Sequence, residues 1–330
     1  MKKLYFTVLT AILGTSLSLA CTNFMAGPAA TTDGSIIVTY AADSYSLYGF
    51  LRYSPAADYK EGDMRQINDW DTGKPLIQIP QVQHTYSVVG NMNEHQLVIG
   101  ETTWGGREEL YGETGVDYGS LIYIALERCR TAREAILLMT DLVQQYGYAS
   151  EGESFTIADT HEVWIMELIG KGKTEKGAVW AARRIPDDCV SAHANQARIT
   201  QIDFRDKKHK DWYWAEDVVS FAREKGYFDG KDKDFSFSDT YNPLDFSGLY
   251  VCEARVWSFF RQVNADMERY YDYVIGKSSE RMPLFIKPDR LLSQQDFKGF
   301  MRDQYEGTPL DITQGTDAGP WNSKLRYGGL

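Results

Sequence analysis

Apolar and polar positions change rhythm several times along this 330-residue chain. Leu4 to Leu19 is an apolar run without charge, preceded by Lys2 and Lys3. From Cys21 onward the pattern reads as strands. "TNFMAG" and "IIVTYAA" flank the polar turn "TTDGS" (Thr31 to Ser35), and Asp33-Gly34 between two apolar runs predicts a hairpin. "HTYSVVGNMNEHQLVIGETTW" predicts two more short strands around a polar turn. "YGSLIYIALERC" then places apolar residues at helical spacing. Thr131 with Glu134 forms a capping-box pattern ahead of "AILLMTDLVQQYG", and Gly147 closes that helix.

The period next falls to two. "ESFTIAD", "EVWIMELIG", "GAVWAARRI" and "CVSAHANQ" follow one another with turn residues between them, which predicts a set of antiparallel strands. "WYWAEDVVSFAREKGYF" has the spacing of one amphipathic helix, and "EARVWSFFRQVNADMERYY" that of another. Strands, helices, strands and helices in this order predict an α+β sandwich rather than alternating βαβ units. No internal repeat, long low-complexity linker or clean domain boundary interrupts it.

Composition narrows the function. The chain is 43% hydrophobic and 13% aromatic, enough to bury a sizeable core. With 35 basic against 46 acidic residues, a net charge of -11 argues against nucleic-acid or anionic-membrane partners. No second apolar run reaches the ~18 residues of a spanning helix.

The leader ends in a small-x-small site, Ser18 and Ala20, so residues 1–20 read as a secretory signal peptide. Cleavage after Ala20 would export the protein with Cys21 as its first residue. A lipobox would carry Leu where Ser18 stands, but Leu17 and Leu19 flank that position, so a lipid anchor on Cys21 stays the alternative. Cys129, Cys189 and Cys252 are scattered too widely for zinc or a dense disulfide framework, and read as buried thiols.

Other motifs carry little. "GKGKT" at Gly170 to Thr174 has Glu167 where a phosphate loop needs glycine, and reads as a lysine-rich hairpin turn. His84, His95, His161 and His193 share no metal spacing, and His209 in "DKKHKDW" reads as a solvated surface residue. No Gly-x-Ser-x-Gly elbow is present, and no histidine partner for a papain-type cysteine stands out. No cofactor or metal is called for.

An N-terminal cysteine needs no such partner. Its α-amine, with a pKa of about 7.7–8.0, can accept the thiol proton near neutrality. The thiol is strongly nucleophilic once deprotonated. A carboxylate to orient the amine and donors for the tetrahedral oxyanion complete the requirement.

"CTNFMAG…TTDGSIIVTYAADS", "GNMNEHQLVIGETTWGGREEL", "RRIPDDCVSAHANQARI", "FSFSDTYNP" and "ARVWSFF", in this order, resemble the secreted cysteine dipeptidases related to dipeptidase A and the secernins. These are N-terminal-nucleophile hydrolases, distantly similar to bile salt hydrolases and penicillin V acylase. The resemblance implies a four-layer αββα sandwich, hydrolysis of dipeptides and no metal. It places Cys21 as nucleophile and Asp43 of "AADS" as the acid holding the cysteine amine, against a turn aspartate as the plain alternative. Asn195 of "AHANQ" falls near the amine and the oxyanion, against a strand-end asparagine. Thr103 of "GETT" stands where bile-acid relatives put an oxyanion asparagine, with one hydroxyl to donate. An active-site arginine falls on either Arg255 or Arg261. Tyr40 replaces an arginine of the bile salt hydrolases, which argues against that activity.

The resemblance also implies one hydrolase domain over 21–330, incomplete at its C-terminal end, because family members continue past "AGPW". The reading is an exported dipeptidase. Its rivals are an amidase of another acyl amide and a non-catalytic lipid-anchored binding protein. Trp104 and Trp164 read as core first and pocket lining second. The sequence leaves the preferred dipeptide and the oligomeric state open.

Overall fold

The computed structural model describes residues 21–43, 49–311 and 313–315. The leader with Ser18 and Ala20, and the "AGPW" segment, lie outside them. No helix among the described residues is long and apolar enough to cross a membrane.

Two antiparallel sheets face each other. The smaller one holds β1 (Thr22–Ala26) between β2 (Ile37–Ala41) and β7 (Val190–His193), with β9 (Phe285–Ile286) beyond β7. The larger one is built around β3 (Val98–Thr103), β4 (Glu153–Ala158), β5 (Val163–Gly170) and β6 (Ala178–Ile185), in that order. It is extended past β6 by β8 (Trp212–Trp214) and past β3 by three two-residue strands. β1 and β2 lie against β3, which brings the two sheets together at the beginning of the described chain.

Strand alternation explains the layers. On β5, Trp164, Met166 and Leu168 pack against α1 (Tyr118–Arg128) and α2 (Ala132–Tyr146), while Val163, Ile165 and Ile169 enter the core on the other face. On β1, Phe24 and Ala26 meet α4 (Ala254–Val263) and α5 (Gln294–Phe300), and Met25 turns the opposite way into the inter-sheet core. Phe24 stacks on Phe259 with ring centroids 4.3 Å apart. The result is an α+β sandwich with helices on both outer faces.

Polar groups between the sheets form one satisfied chain. His193 sits fully buried on β7, its Nδ1 2.8 Å from the Thr102 hydroxyl and its Nε2 2.7 Å from that of Thr156. The Asn23 amide on β1 has one orientation that satisfies every neighbour. Its nitrogen then donates to Thr22 O and Glu101 O, and its oxygen accepts from Glu101 N and the Thr156 hydroxyl, at 3.1–3.2 Å. A side chain of one sheet thereby pairs with the backbone of the other. Gly100 makes room for it, since a Cβ there would lie 2.7 Å from the Asn23 amide.

Several local expectations change. The "WYW" segment is a strand rather than the start of a helix, because Trp212 to Trp214 pair with Arg183 to Ala181 on β6. The helix α3 begins only at Val218 and ends at Glu224. The long helix expected over 253–271 breaks at Asn264, whose side chain accepts from Asp266 N and caps a new turn. The run "CVSAHANQ" leaves the larger sheet and pairs with β1 instead. Thr131 caps α2, but the Glu134 carboxylate takes the Arg130 N–H rather than that of the cap residue. His209 is not free in solvent: it stacks on Tyr213, ring centroids 4.7 Å apart. "GKGKT" does form the turn between β5 and β6, and Lys171 pairs there with Asp217.

Burial, and secondarily the Arg198 charge, push the His193 imidazole down to about 3. The unfolded chain therefore takes up a proton below about pH 6.5 that the folded chain refuses. This contribution to stability is complete above that pH and falls on acidification, with a slope approaching ~1.4 kcal/mol per pH unit. Urea unfolding at pH 7 and pH 5 should show a smaller loss for His193→Gln than for the parent protein. Equal losses would mean that His193 is charged in the folded state.

Candidate active site

Cys21 stands at the head of β1 and is 3% exposed. Its carbonyl is held by Arg255, which reaches over from α4. The guanidinium uses all five of its N–H donors. Nη1 donates to Cys21 O (2.6 Å) and Thr22 Oγ1 (2.9 Å), Nη2 to Ala194 O (3.0 Å) and Asn195 Oδ1 (2.9 Å), and Nε to Val251 O (2.8 Å). One side chain thus ties the head of β1 to the segment leaving β7.

That segment is anchored a second time by Arg198. This buried guanidinium pairs with Glu253 at 2.8 Å and donates to Ala192 O, Leu284 O and Pro283 O. Glu167 on β5 accepts the backbone N–H groups of Arg198 and Ile199. Burial raises the Glu167 carboxyl to about 7 despite those bonds. Between the two arginines Asn195 adopts a φ of +59°, a left-handed conformation that asparagine tolerates better than most residues. Its Nδ2 donates to Thr103 O. One amide N–H of Asn195 is left for another acceptor.

The opposite wall is acidic. Tyr40 on β2 donates its hydroxyl to Glu101 Oε1, and Thr103 donates its hydroxyl to Glu153 Oε1 at 2.7 Å. The carboxyl groups of Glu101 and Glu153 lie within hydrogen-bonding reach of one another. Burial lifts both above the usual carboxylate range; the Glu101 charge raises Glu153 further, whereas the hydrogen bond from Glu153 lowers Glu101, so the proton of the pair rests on Glu153. Burial also pushes the Cys21 thiol well above its ordinary value, helped by Glu101, Glu153 and Asp43, while the Asp43 backbone N–H acts the other way by donating to the sulfur. A thiol so placed is protonated and a poor nucleophile unless a positive charge joins it.

Of the residues singled out from the sequence, Cys21, Asn195, Thr103 and Arg255 are linked in one network. Asp43 adjoins the sulfur through its backbone, and its exposed carboxylate acts on the thiol less than Glu101 and Glu153 do. Arg261 lies elsewhere. It faces outward from α4 over the Trp257 ring, toward Glu268 and Glu306 O. Trp104 and Trp164 are buried in the core. All four cysteines are free and buried. Glu101, Glu153 and Tyr40 were missed as members of the site. The available signal was a glutamate inside each of two otherwise apolar or small-residue strands, where ionisable groups are rarely buried without a partner.

A cavity of about 220 Å³ opens beside Thr22, Asp43 and Arg255 and is closed by Arg302 to Tyr305. A larger one of about 870 Å³ follows the outer edge of β2 to α5 and contains none of the network residues.

The sequence model of Peptidase family C69 matches residues 54–328. A "Probable dipeptidase" of Salmonella dublin is 25% identical over 94% of this chain and 72% of its own length. One of Latilactobacillus sakei is 25% identical over 90% and 63%, and a "Probable dipeptidase B" of Streptococcus pyogenes serotype M1 is 24% identical over 92% and 61%. The chain therefore spans under two thirds of the length of the latter two relatives.

Replacing Arg255 by Lys should leave at least two of its five acceptors bare. Each buried acceptor so stranded costs about 1–3 kcal/mol, so a total loss on the order of 3 kcal/mol is expected in denaturant unfolding. Arg261→Lys, at a half-buried site with a single backbone acceptor, should cost no more than about 1 kcal/mol. Equal effects would assign the anchoring role to neither arginine.

Proposed function

The chain belongs to peptidase family C69, and from that membership we propose that it is an exported cysteine dipeptidase whose first residue after processing is Cys21. The observation that carries the reading is the position of Cys21, at the head of a central strand with its carbonyl gripped by Arg255. The layered sandwich, with that strand in its inner sheet, supports the N-terminal-nucleophile version of the fold.

In the processed form the Cys21 nitrogen is an amine instead of an amide. It takes the thiol proton, and the resulting ammonium offsets the carboxyls that keep the thiol neutral. The thiolate attacks the scissile carbonyl of the dipeptide. The second N–H of the Asn195 amide, left over once Thr103 and Arg255 have taken its other groups, is the donor proposed for the oxyanion. The ammonium then returns its proton to the leaving amine, and a thioester forms. Water attacks the thioester with the freed amine as base, which releases the acid product and restores the thiol. Asp43, beside the sulfur, is the acid proposed to orient the amine. The Thr103 hydroxyl is committed to Glu153, so its carbonyl rather than its hydroxyl serves the site, by holding Asn195.

The processed protein should hydrolyse dipeptides in the presence of a chelator. Cys21→Ala should abolish turnover, and protein with residues 1–20 still attached should be equally inactive. Asp43→Asn should lower kcat by about 10²–10⁴-fold without unfolding the protein, the range for losing a positioned acid–base element. Mass spectrometry of the mature N-terminus should give an unmodified Cys21. A diacylglyceryl mass on it, or full activity with the leader attached, would sink the reading.

A further inference from the structure

Glu101 and Glu153 are only 2% and 0% exposed, yet among the described residues no basic side chain pairs with either. Each has one oxygen satisfied, by the Tyr40 and Thr103 hydroxyls respectively. The Oε2 atom of each is buried and receives no donor from the described residues. Two buried acceptors in reach of one another repel unless a cation stands between them. A proton fills that place when the site is empty. An ammonium group fills it equally well, with N–H donors for both oxygens. The charges that act on the pair from farther off, Asp71 on Glu101 and Glu151 on Glu153, are acidic and favour the same occupant. Among the described residues, no three His, Cys, Asp or Glu side chains come together as metal ligands, so an organic cation is the better fit.

The position of the pair says which ammonium. Thr103 and Glu153 are paired in register across β3 and β4, and the Thr103 carbonyl holds Asn195. Tyr40 joins Glu101 to the strand beside Cys21. The pair therefore acts directly on the Cys21 thiol and is tied through Thr103 to Asn195. In an amino acid whose carbonyl carbon is attacked, the α-nitrogen is two bonds away, about 2.5 Å. Whatever binds that nitrogen must lie beside the nucleophile, as these two carboxyls do.

We propose that Glu101 and Glu153 form the subsite for the free α-ammonium of the substrate's first residue, which makes the site selective for peptides with an unblocked N-terminus. This rests on the dipeptidase reading above. Upon binding, the shared proton leaves to solvent and the ammonium takes its place, so charge is conserved within the pair. Tyr40 and Thr103 are positioning residues: each occupies Oε1 of its carboxyl and leaves Oε2 for the ammonium.

Glu101→Gln and Glu153→Gln preserve shape and imitate the protonated pair, so both variants should fold, which a thermal melt checks. The substrates are alanyl-alanine and its des-amino analogue propionyl-alanine. The parent enzyme should prefer alanyl-alanine. Each variant should raise KM for it by about 10- to 100-fold, the effect of losing a charge-assisted hydrogen bond. Propionyl-alanine has no ammonium to lose, so whatever the variants do to the thiol, the ratio of kcat/KM for alanyl-alanine to that for propionyl-alanine should fall by about the same 10- to 100-fold. An equal fall in kcat on both substrates would overturn the proposal and give the pair to the Cys21 amine. An unchanged KM for alanyl-alanine would overturn it outright. Calorimetry of alanyl-alanine on Cys21→Ala, with and without Glu153→Gln, reads the subsite without turnover. Binding that survives Glu153→Gln contradicts the subsite. A parent protein that binds the dipeptide without cleaving it contradicts the dipeptidase reading alone.

Discussion

One buried guanidinium fixes the geometry on which the site depends. Arg255 has five N–H groups in a rigid fork, and each meets an oxygen, the five coming from three parts of the chain. Those parts, the turn before α4, the head of β1 and the segment after β7, are far apart in sequence. A buried arginine without full satisfaction would be expensive, so the requirement to occupy all five donors locks the three segments together. The same bonds orient Asn195, whose left-handed backbone turn would otherwise be a small strain without compensation.

A second constraint acts across the inter-sheet space. The Asn23 amide pairs with the backbone of Glu101, and a neutral His193 bridges Thr102 and Thr156. These contacts hold the head of β1 against β3 while no side chain in the chain of bonds carries a full charge. Glu101 and Glu153, on the helix-facing side of β3 and β4, are a charged exception nearby, and their Oε2 atoms are among the buried groups that receive no donor from the described residues. Polar groups left unpaired in a densely satisfied interior are where a ligand contributes most, because occupation removes a cost the folded protein already carries.

The thiol and the carboxyl pair are coupled through this arrangement. Burial and negative neighbours keep Cys21 protonated as long as its nitrogen is a peptide amide. A positive charge at that nitrogen would act against the carboxylates that raise the thiol. On the proposed reading, the local electrostatics would keep the thiol quiet before processing and let it react afterwards, with no rearrangement of the fold.

Sequence alone determined the elements whose periodicity is uninterrupted: α1, α2 between its Thr131 cap and Gly147, the strands β4 to β6, and the pairing of β1 with β2. It also determined that a strand follows Cys21, because "TNFMAG" and "IIVTYAA" flank a hairpin turn. It fell short where local pattern and long-range pairing disagree. "WYW" has helical spacing with its neighbours but finds a partner edge on β6, and "CVSAHANQ" continues a meander in sequence yet crosses to β1 in space. The choice between Arg255 and Arg261 was equally closed to it, since both lie on α4 and only packing decides which face meets Cys21. Glu101 and Glu153, 52 residues apart in number, become a pair only because β3 and β4 align in register and fold their carboxyls into one dry space. Alternation is a local property of the chain and can be read from it. Which faces meet, and which charges are then left without water, depends on contacts between distant segments, and only the tertiary structure decides those.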